Sequence, residues 1–383
     1  VHHAQAAAPK HATLRSVNAL VLQCGGPTAV VNSSLAAIAR RWREHQSRGQ
    51  LFGGRFGLRA LGTGEWDPLD VRDDGWLQML DSTPGMALGG GRDRLDPSQL
   101  ASAARRLGSR EIDTVFLIGG NGTMSAARAL ASGANAPRVI AVPKTVDNDI
   151  PHTEICPGFL SAARFLCEAA RDVADDVLGM RGYEEVVLIE TMGRHAGWLA
   201  ASARLARRSS DDAPHLVLMP EKPIDEDAVL AQIDDRVTAA GVCVVVVSEG
   251  VRDHRGVLLT TKECRSGIER DPSGHVILGR SGGPLPYLTA RIRERLGRSC
   301  RQVRPDVLQR CSRAHVSSLD RRLAALAGAG AVDCAHEGSS GVMIALRRVG
   351  GDWRTEPVPL DRVKGERLVP PDFDPEALRE LMA

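Results

Sequence analysis

Residues 115–118 and 139–142 are short, wholly apolar runs, each ending in a polar turn that leads into a helical pattern. A run without polar alternation is covered on both faces, and successive runs of this kind joined by helices build a parallel sheet with helices on either side. The same pattern recurs at residues 19–23, 186–189, 216–219 and 242–247. The expected class is therefore α/β: two Rossmann-like lobes of mostly parallel strands with an active-site cleft between them. Ligands of such sheets bind beyond the carboxyl ends of the strands, where the glycine turns of this chain fall.

Pro151, Pro157 and Gly158 mark a break, so the lobes are expected at residues 17–155 and 156–348, with a second crossing left open. Residues 349–383, with Pro357, Pro359, Pro370 and Pro371, are expected to form an extended wrap and one short helix. The formal net charge of +2 gives no electrostatic case for nucleic acid or a membrane surface. The longest apolar run, residues 242–247, is far too short to span a bilayer, and residues 1–16 lack the apolar core of a signal peptide. The eight cysteines show no Cys-x-x-Cys spacing, so they read as small hydrophobes of a reduced, cytoplasmic protein. Arginine clusters at 204–208 and 291–295 read as solvated helix faces.

The chemistry concentrates in two turns. Gly119-Gly120-Asn121-Gly122-Thr123 ends a strand, and a helix opened by Thr123 or Ser125 would aim backbone N–H groups at an anion such as phosphate. Pro143-Lys144-Thr145-Val146-Asp147-Asn148-Asp149 ends the next strand. It offers a cation, a hydroxyl and two carboxylates two residues apart, one to take a proton from a sugar hydroxyl and the other to hold a metal. That is the inventory of phosphoryl transfer. An Asx-type turn with solvated carboxylates is the plainer alternative.

Further candidates surround these turns. Gly25-Gly26-Pro27, with Asn32 opening a helix, is a weak signal alone. Gly89-Gly90-Gly91-Arg92-Asp93-Arg94 lets backbone approach a ligand while Arg92 bridges phosphates. In the segment from Glu190 to Gly197, Arg194 would neutralise charge on the transferring group, and His195 is a base or a helix cap. Glu249 is placed to accept from sugar hydroxyls, and Arg310 is a candidate for an anionic group on the substrate.

Taken together, Gly25-Gly26-Pro27 and Asn32, Gly89 to Arg92, Gly119 to Thr123, Pro143 to Asp149, Met192 to Leu199, Ser248-Glu249-Gly250 and Leu308-Gln309-Arg310 resemble the phosphofructokinase family. The matches run in family order from about residue 17 to 348. The resemblance implies transfer of a phosphoryl group from ATP or pyrophosphate, with Mg²⁺, to the 1-hydroxyl of fructose 6-phosphate or a close relative. It further implies a glycolytic, cytoplasmic homodimer or homotetramer, with donor phosphates on the first lobe and sugar phosphate on the second. By position, Asp147 would be the general base, supported by Thr145, Lys144 and Arg194. Gly25, Gly26, Arg92, Gly120, Asn121, Gly122 and Thr123 would hold the donor. Thr145, Asp147, Asp149, Met192, Gly193, Arg194, Glu249 and Arg310 would hold the acceptor, with Asn121 and Asp149 serving the metal.

Three departures qualify this. Asn121 replaces the aspartate that serves Mg²⁺ in the family. Gly122 resembles ATP users, leaving space for a nucleotide, whereas Lys144 and the opening Gly-Gly-Pro-Thr-Ala-Val-Val-Asn resemble pyrophosphate users; on steric grounds ATP is the expected donor. Glu185 falls where short bacterial enzymes send an arginine to a neighbour's 6-phosphate, so Arg291, Arg301 or Arg321 would replace it or the acceptor differs. A member retuned to another sugar-bearing acceptor, or a catalytically weak regulatory subunit, are the alternative functions.

Overall fold

The computed structural model describes residues 18–45, 49–69, 71–93, 95–133, 135–262, 267–270, 278 and 281–382. Arg94 and Cys264 lie outside them. Its strands are β1 (Asn18–Gln23), β2 (Leu51–Gly54), β3 (Trp66–Pro68), β4 (Ile112–Gly119), β5 (Arg138–Pro143), β6 (Val186–Thr191), β7 (Leu216–Leu218), β8 (Cys243–Ser248), β9 (Cys300–Val303), β10 (Val342–Val349) and β11 (Asp352–Pro359). They form one sheet in the order β11-β10-β5-β4-β1-β2-β3 and a second in the order β7-β8-β6-β9. The second sheet is wholly parallel, and the first is parallel except for its edge strands β3 and β11.

The apolar runs are two-faced, as their composition requires. Phe116 and Ile118 of β4 pack into one core cluster, and Val115 and Leu117 into another on the opposite face. In the second sheet Val245 and Val247 of β8 face one cluster, Val244 and Val246 another. Truncating a wholly buried ring such as Phe116 to alanine costs about 3–5 kcal/mol.

The helices are α1 (Val31–Glu44), α2 (Arg59–Thr63), α3 (Asp74–Ser82), α4 (Pro97–Ser109), α5 (Asn121–Ala131), α6 (Phe159–Gly179), α7 (Trp198–Ser202), α8 (Glu226–Ala240), α9 (Leu285–Leu296), α10 (Leu308–Cys311), α11 (Ser318–His336) and α12 (Arg379–Met382). Helix α7 ends at Ser202, and a 3₁₀ turn over Ala203–Ala206 continues it. Among the described residues no helix is long and apolar enough to cross a membrane.

The chain crosses between sheets twice. After β9 it returns, α11 packs against α1 through Ser34 Oγ–H donating to the Ala324 carbonyl at 2.9 Å, and β10 pairs with β5. The stretch from α11 to β10 therefore joins the first sheet, not the second lobe to which residues 156–348 were assigned. The expected wrap likewise begins as a strand: β11 pairs antiparallel with β10 before the chain becomes extended. A hairpin at the edge of a sheet leaves no local sign in the sequence of which sheet it will join.

Candidate functional site

The parallel registers bring the strand ends of the first sheet together, with Gly119 opposite Pro143 and Gln23 opposite Ile118. Beyond β1, the Gly25 N–H donates to the Gly91 carbonyl at 2.8 Å. A Cβ on Gly90 would sit 2.4 Å from the Gly25 oxygen, so the two glycine segments stack backbone on backbone only because neither has a side chain there. A buried amide pair sets this contact. Asn32 Oδ1 accepts from Gln23 Nε2 and from the Ala87 N–H, both at 3.0 Å, and Gln23 Oε1 accepts from the Leu88 N–H at 3.0 Å. Asn32 sits in the first turn of α1, one residue inside the helix, and its role is to fasten the approach to Arg92. Gln23 had drawn no notice in the sequence, because a lone amide at a strand end carries no motif.

Helix α5 starts at Asn121, two residues before the earliest expected position, because Gly120 is already extended and caps it. Asn121, Gly122 and Thr123 thus supply the first-turn N–H groups of a helix aimed at the cleft. A Cβ on Gly122 would meet nothing within 4 Å. Asn121 Nδ2 donates to the Asp149 carbonyl at 3.3 Å, joining the two turns.

In the loop after β5, Lys144 is buried and its Nζ donates to the Gly26 carbonyl at 2.7 Å. Burial, aided by the charges of Arg310 and Arg92, pulls its ammonium down to about 8 against the opposing effect of Cys24 and Asp147. Thr145 Oγ1 accepts from the Asp147 N–H at 3.1 Å. Burial holds the Asp147 carboxyl above its ordinary value, although Arg194, Lys144, Arg92 and Arg310 all pull the other way. Asp149 is raised by burial and by the Asp147 charge. Asp149 is buried and Asp147 is half-buried among cations, which the solvated Asx turn does not describe.

The second sheet supplies the opposite wall. The Glu249 N–H donates to the Thr191 carbonyl at 2.9 Å, and Ser248 Oγ–H donates to the Gly193 carbonyl at 2.6 Å. Gly193 has φ 123°, which no other residue adopts easily, and this turn delivers Arg194. The Met192 N–H donates to Gln309 Oε1 at 3.0 Å. Burial, then the charges of Asp147 and Glu190, push Glu249 up to about 8. Glu190 itself, paired with Arg304 at 3.3 Å, is pushed up to about 7 by burial. Gly197, not His195, caps α7, and its N–H donates to Glu221 Oε1 at 2.8 Å.

Arg310 lies on the first sheet's side of the cleft: its Nη1 is 2.5 Å from where a Cβ on Gly26 would be, beside Lys144. Glu185 is turned to its own chain, accepting from Arg298 Nη1 and the Ser299 N–H at 2.8 Å each. Of the cations considered as its replacement, Arg291 pairs with Glu294 and Arg301 with Glu184. Arg321 Nε is buried without a hydrogen-bond partner. Among the described residues no group of three or more His, Cys, Asp or Glu is arranged to hold a metal ion.

The phosphofructokinase family model matches residues 18–335. The pyrophosphate–fructose 6-phosphate 1-phosphotransferase of Xanthomonas campestris is 34% identical over 93% of this chain and 86% of its own length. The ATP-dependent 6-phosphofructokinase 3 of Streptomyces coelicolor is 30% identical over 85% of this chain and 90% of its own. A crystal structure of pyrophosphate-dependent phosphofructokinase from Nitrosospira multiformis superposes with a TM-score of 0.81 at 30% identity, covering 93% of this chain and 86% of that one. With the family model matching most of its length and relatives of 30% identity or more covered almost end to end, this chain belongs to the phosphofructokinase family.

Proposed function

We propose that this protein moves a phosphoryl group to the 1-hydroxyl of fructose 6-phosphate or a closely related sugar phosphate. The observation that carries the proposal is the setting of Asp147, a carboxylate enclosed beside Arg194, Lys144, Arg92 and Arg310. Asp147 takes the hydroxyl proton as the sugar oxygen attacks the terminal phosphorus, and the bond from that phosphorus to the leaving phosphate breaks. Arg194 meets charge on the transferring group, while Lys144, Arg92 and the first turn of α5 hold the donor. Glu249, Met192, Gly193 and Thr145 hold the sugar, and Arg310 joins the cations of the anion site. The lobe built on the first sheet binds the donor and that built on the second the sugar. With base and phosphoryl arginine both in place, a regulatory subunit is not favoured.

We assign pyrophosphate as the donor, in place of the ATP expected on steric grounds. Relatives 34% and 32% identical to this chain are named for pyrophosphate, and Lys144 is fastened at the first glycine turn. Open space at Gly122 favours ATP as the second reading. Mg²⁺ suits a site with few protein ligands, because it is commonly held by one or two carboxylates plus substrate phosphates. Asp149 and the Asn121 oxygen are the groups that would hold it, and it would neutralise phosphate charge. The described free cysteines, nearly all buried, fit a reducing cytoplasm, and the enzyme acts as a homodimer or homotetramer. Comparing kcat/KM for pyrophosphate and ATP with the same sugar phosphate tests the donor; a value for ATP at least as high as for pyrophosphate overturns it.

A further inference from the structure

The strap that follows β11 touches both walls of the cleft from behind. Arg367 donates from Nε and Nη2 to the Asn148 carbonyl at 3.2 and 3.0 Å, and its backbone N–H donates to the Asp149 carbonyl at 2.7 Å. Two residues on, the Val369 N–H donates to Glu221 Oε1 at 3.0 Å. That same oxygen accepts from Gly197 N–H, at the end of the turn carrying Arg194. Between these anchors the Arg367 guanidinium lies 4.2 Å from the centre of the Trp198 ring, and Trp198 Nε1 donates to the Arg367 carbonyl at 2.8 Å.

Asn148, which Arg367 grips, is fully buried with φ 53°, a left-handed conformation that asparagine adopts more readily than other non-glycine residues but that its surroundings must still hold. Two restraints are visible: the Cys156 N–H donating to Asn148 Oδ1 at 2.8 Å, and the fork of Arg367 on its carbonyl. Asn148 stands between Asp147 and Asp149, so its backbone torsion sets where both carboxylates are carried.

We propose that Arg367 is a positioning residue for phosphoryl transfer, locking the Asn148 turn and thereby the placement of Asp147 opposite Arg194. It touches no reacting atom. The proposal rests on the reading of Asp147 as general base. An outward shift of about 1 Å in such a base is enough to lower turnover roughly 10–10²-fold. Lysine keeps the charge at 367 but cannot make the planar two-bond fork.

The test compares Arg367→Ala, Arg367→Lys and, on the exposed side of the same strap, Lys364→Ala. We expect kcat to fall about 10–10²-fold in R367A with KM for both substrates within about threefold, partial recovery with added guanidinium, a smaller loss in R367K, and no change in K364A. Hydrogen–deuterium exchange across residues 145–157 should speed up roughly fivefold or more in R367A and not in K364A. A kcat within about twofold of wild type in R367A, a loss lying wholly in KM, or unchanged exchange overturns the proposal. If R367A does not fold, R367K supplies the same kcat, KM and exchange readings. Wild-type protein inactive with either donor would overturn the reading of Asp147, while the exchange measurement still decides whether Arg367 locks the turn.

Discussion

The ammonium of Lys144 is tied to the carbonyl of Gly26 across 2.7 Å, which joins the loop bearing the carboxylates to the first glycine turn. Two strand ends far apart in sequence thereby form a single anion cradle, with the Gly25 N–H bonded to the Gly91 carbonyl and Arg310 beside Gly26.

That tie has a pH signature. Burial has lowered Lys144 to about 8, so its charge is present below that value and lost as pH rises through it. In wild type kcat/KM for the phosphate donor should decline above about pH 8, since this ratio reports the free enzyme. Lys144→Arg stays charged and should flatten that limb. An alkaline limb unchanged in the arginine variant removes Lys144 as its cause.

Replacing Asp147 by asparagine keeps the shape of the turn and removes the proton acceptor. Turnover should drop roughly 10²–10⁴-fold with KM for the sugar phosphate little altered. Steady-state kinetics on the folded variant check this, and turnover within a few-fold of wild type excludes Asp147 as the base.

Gly122 separates the two donors. A carboxylate introduced there would enter the space beyond the first turn of α5 and oppose the charge of a nucleotide's inner phosphate. Gly122→Asp should therefore depress ATP use far more than pyrophosphate use. Equal losses with both donors would mean that this space is not where a nucleotide lies.

Self-association is expected, because the acceptor-phosphate site is completed across an interface in the family that the sequence resembles. Light scattering at micromolar concentration should show a dimer or tetramer. A monomer that is fully active at assay concentration contradicts this.

The two-faced strands of both sheets were legible from residues 115–118, 139–142 and 242–247, since a run with no polar side chain has nowhere to go but a covered sheet. The turns around Gly119 and Asp147 were legible for the same reason, their special residues being contiguous. Less visible were Gln23, Glu221 and Arg367, which act on the site through side-chain hydrogen bonds that no local motif announces. Arg310 was assigned to the acceptor end, yet it reaches the Gly26 turn; which wall a side chain meets depends on how the second sheet is seated. The placement of β10 and β11 was missed because pairing partners are set by tertiary packing.

The most direct measurement of the central claim is made on the purified protein with Mg²⁺, fructose 6-phosphate and pyrophosphate, following phosphorus resonances and product mass together. One bisphosphate bearing its new phosphate on C1 should form for each orthophosphate released, and Asp147→Asn should form it far more slowly. Release of orthophosphate without a sugar bisphosphate, or no turnover with either pyrophosphate or ATP, would contradict a phosphoryl transfer to this sugar.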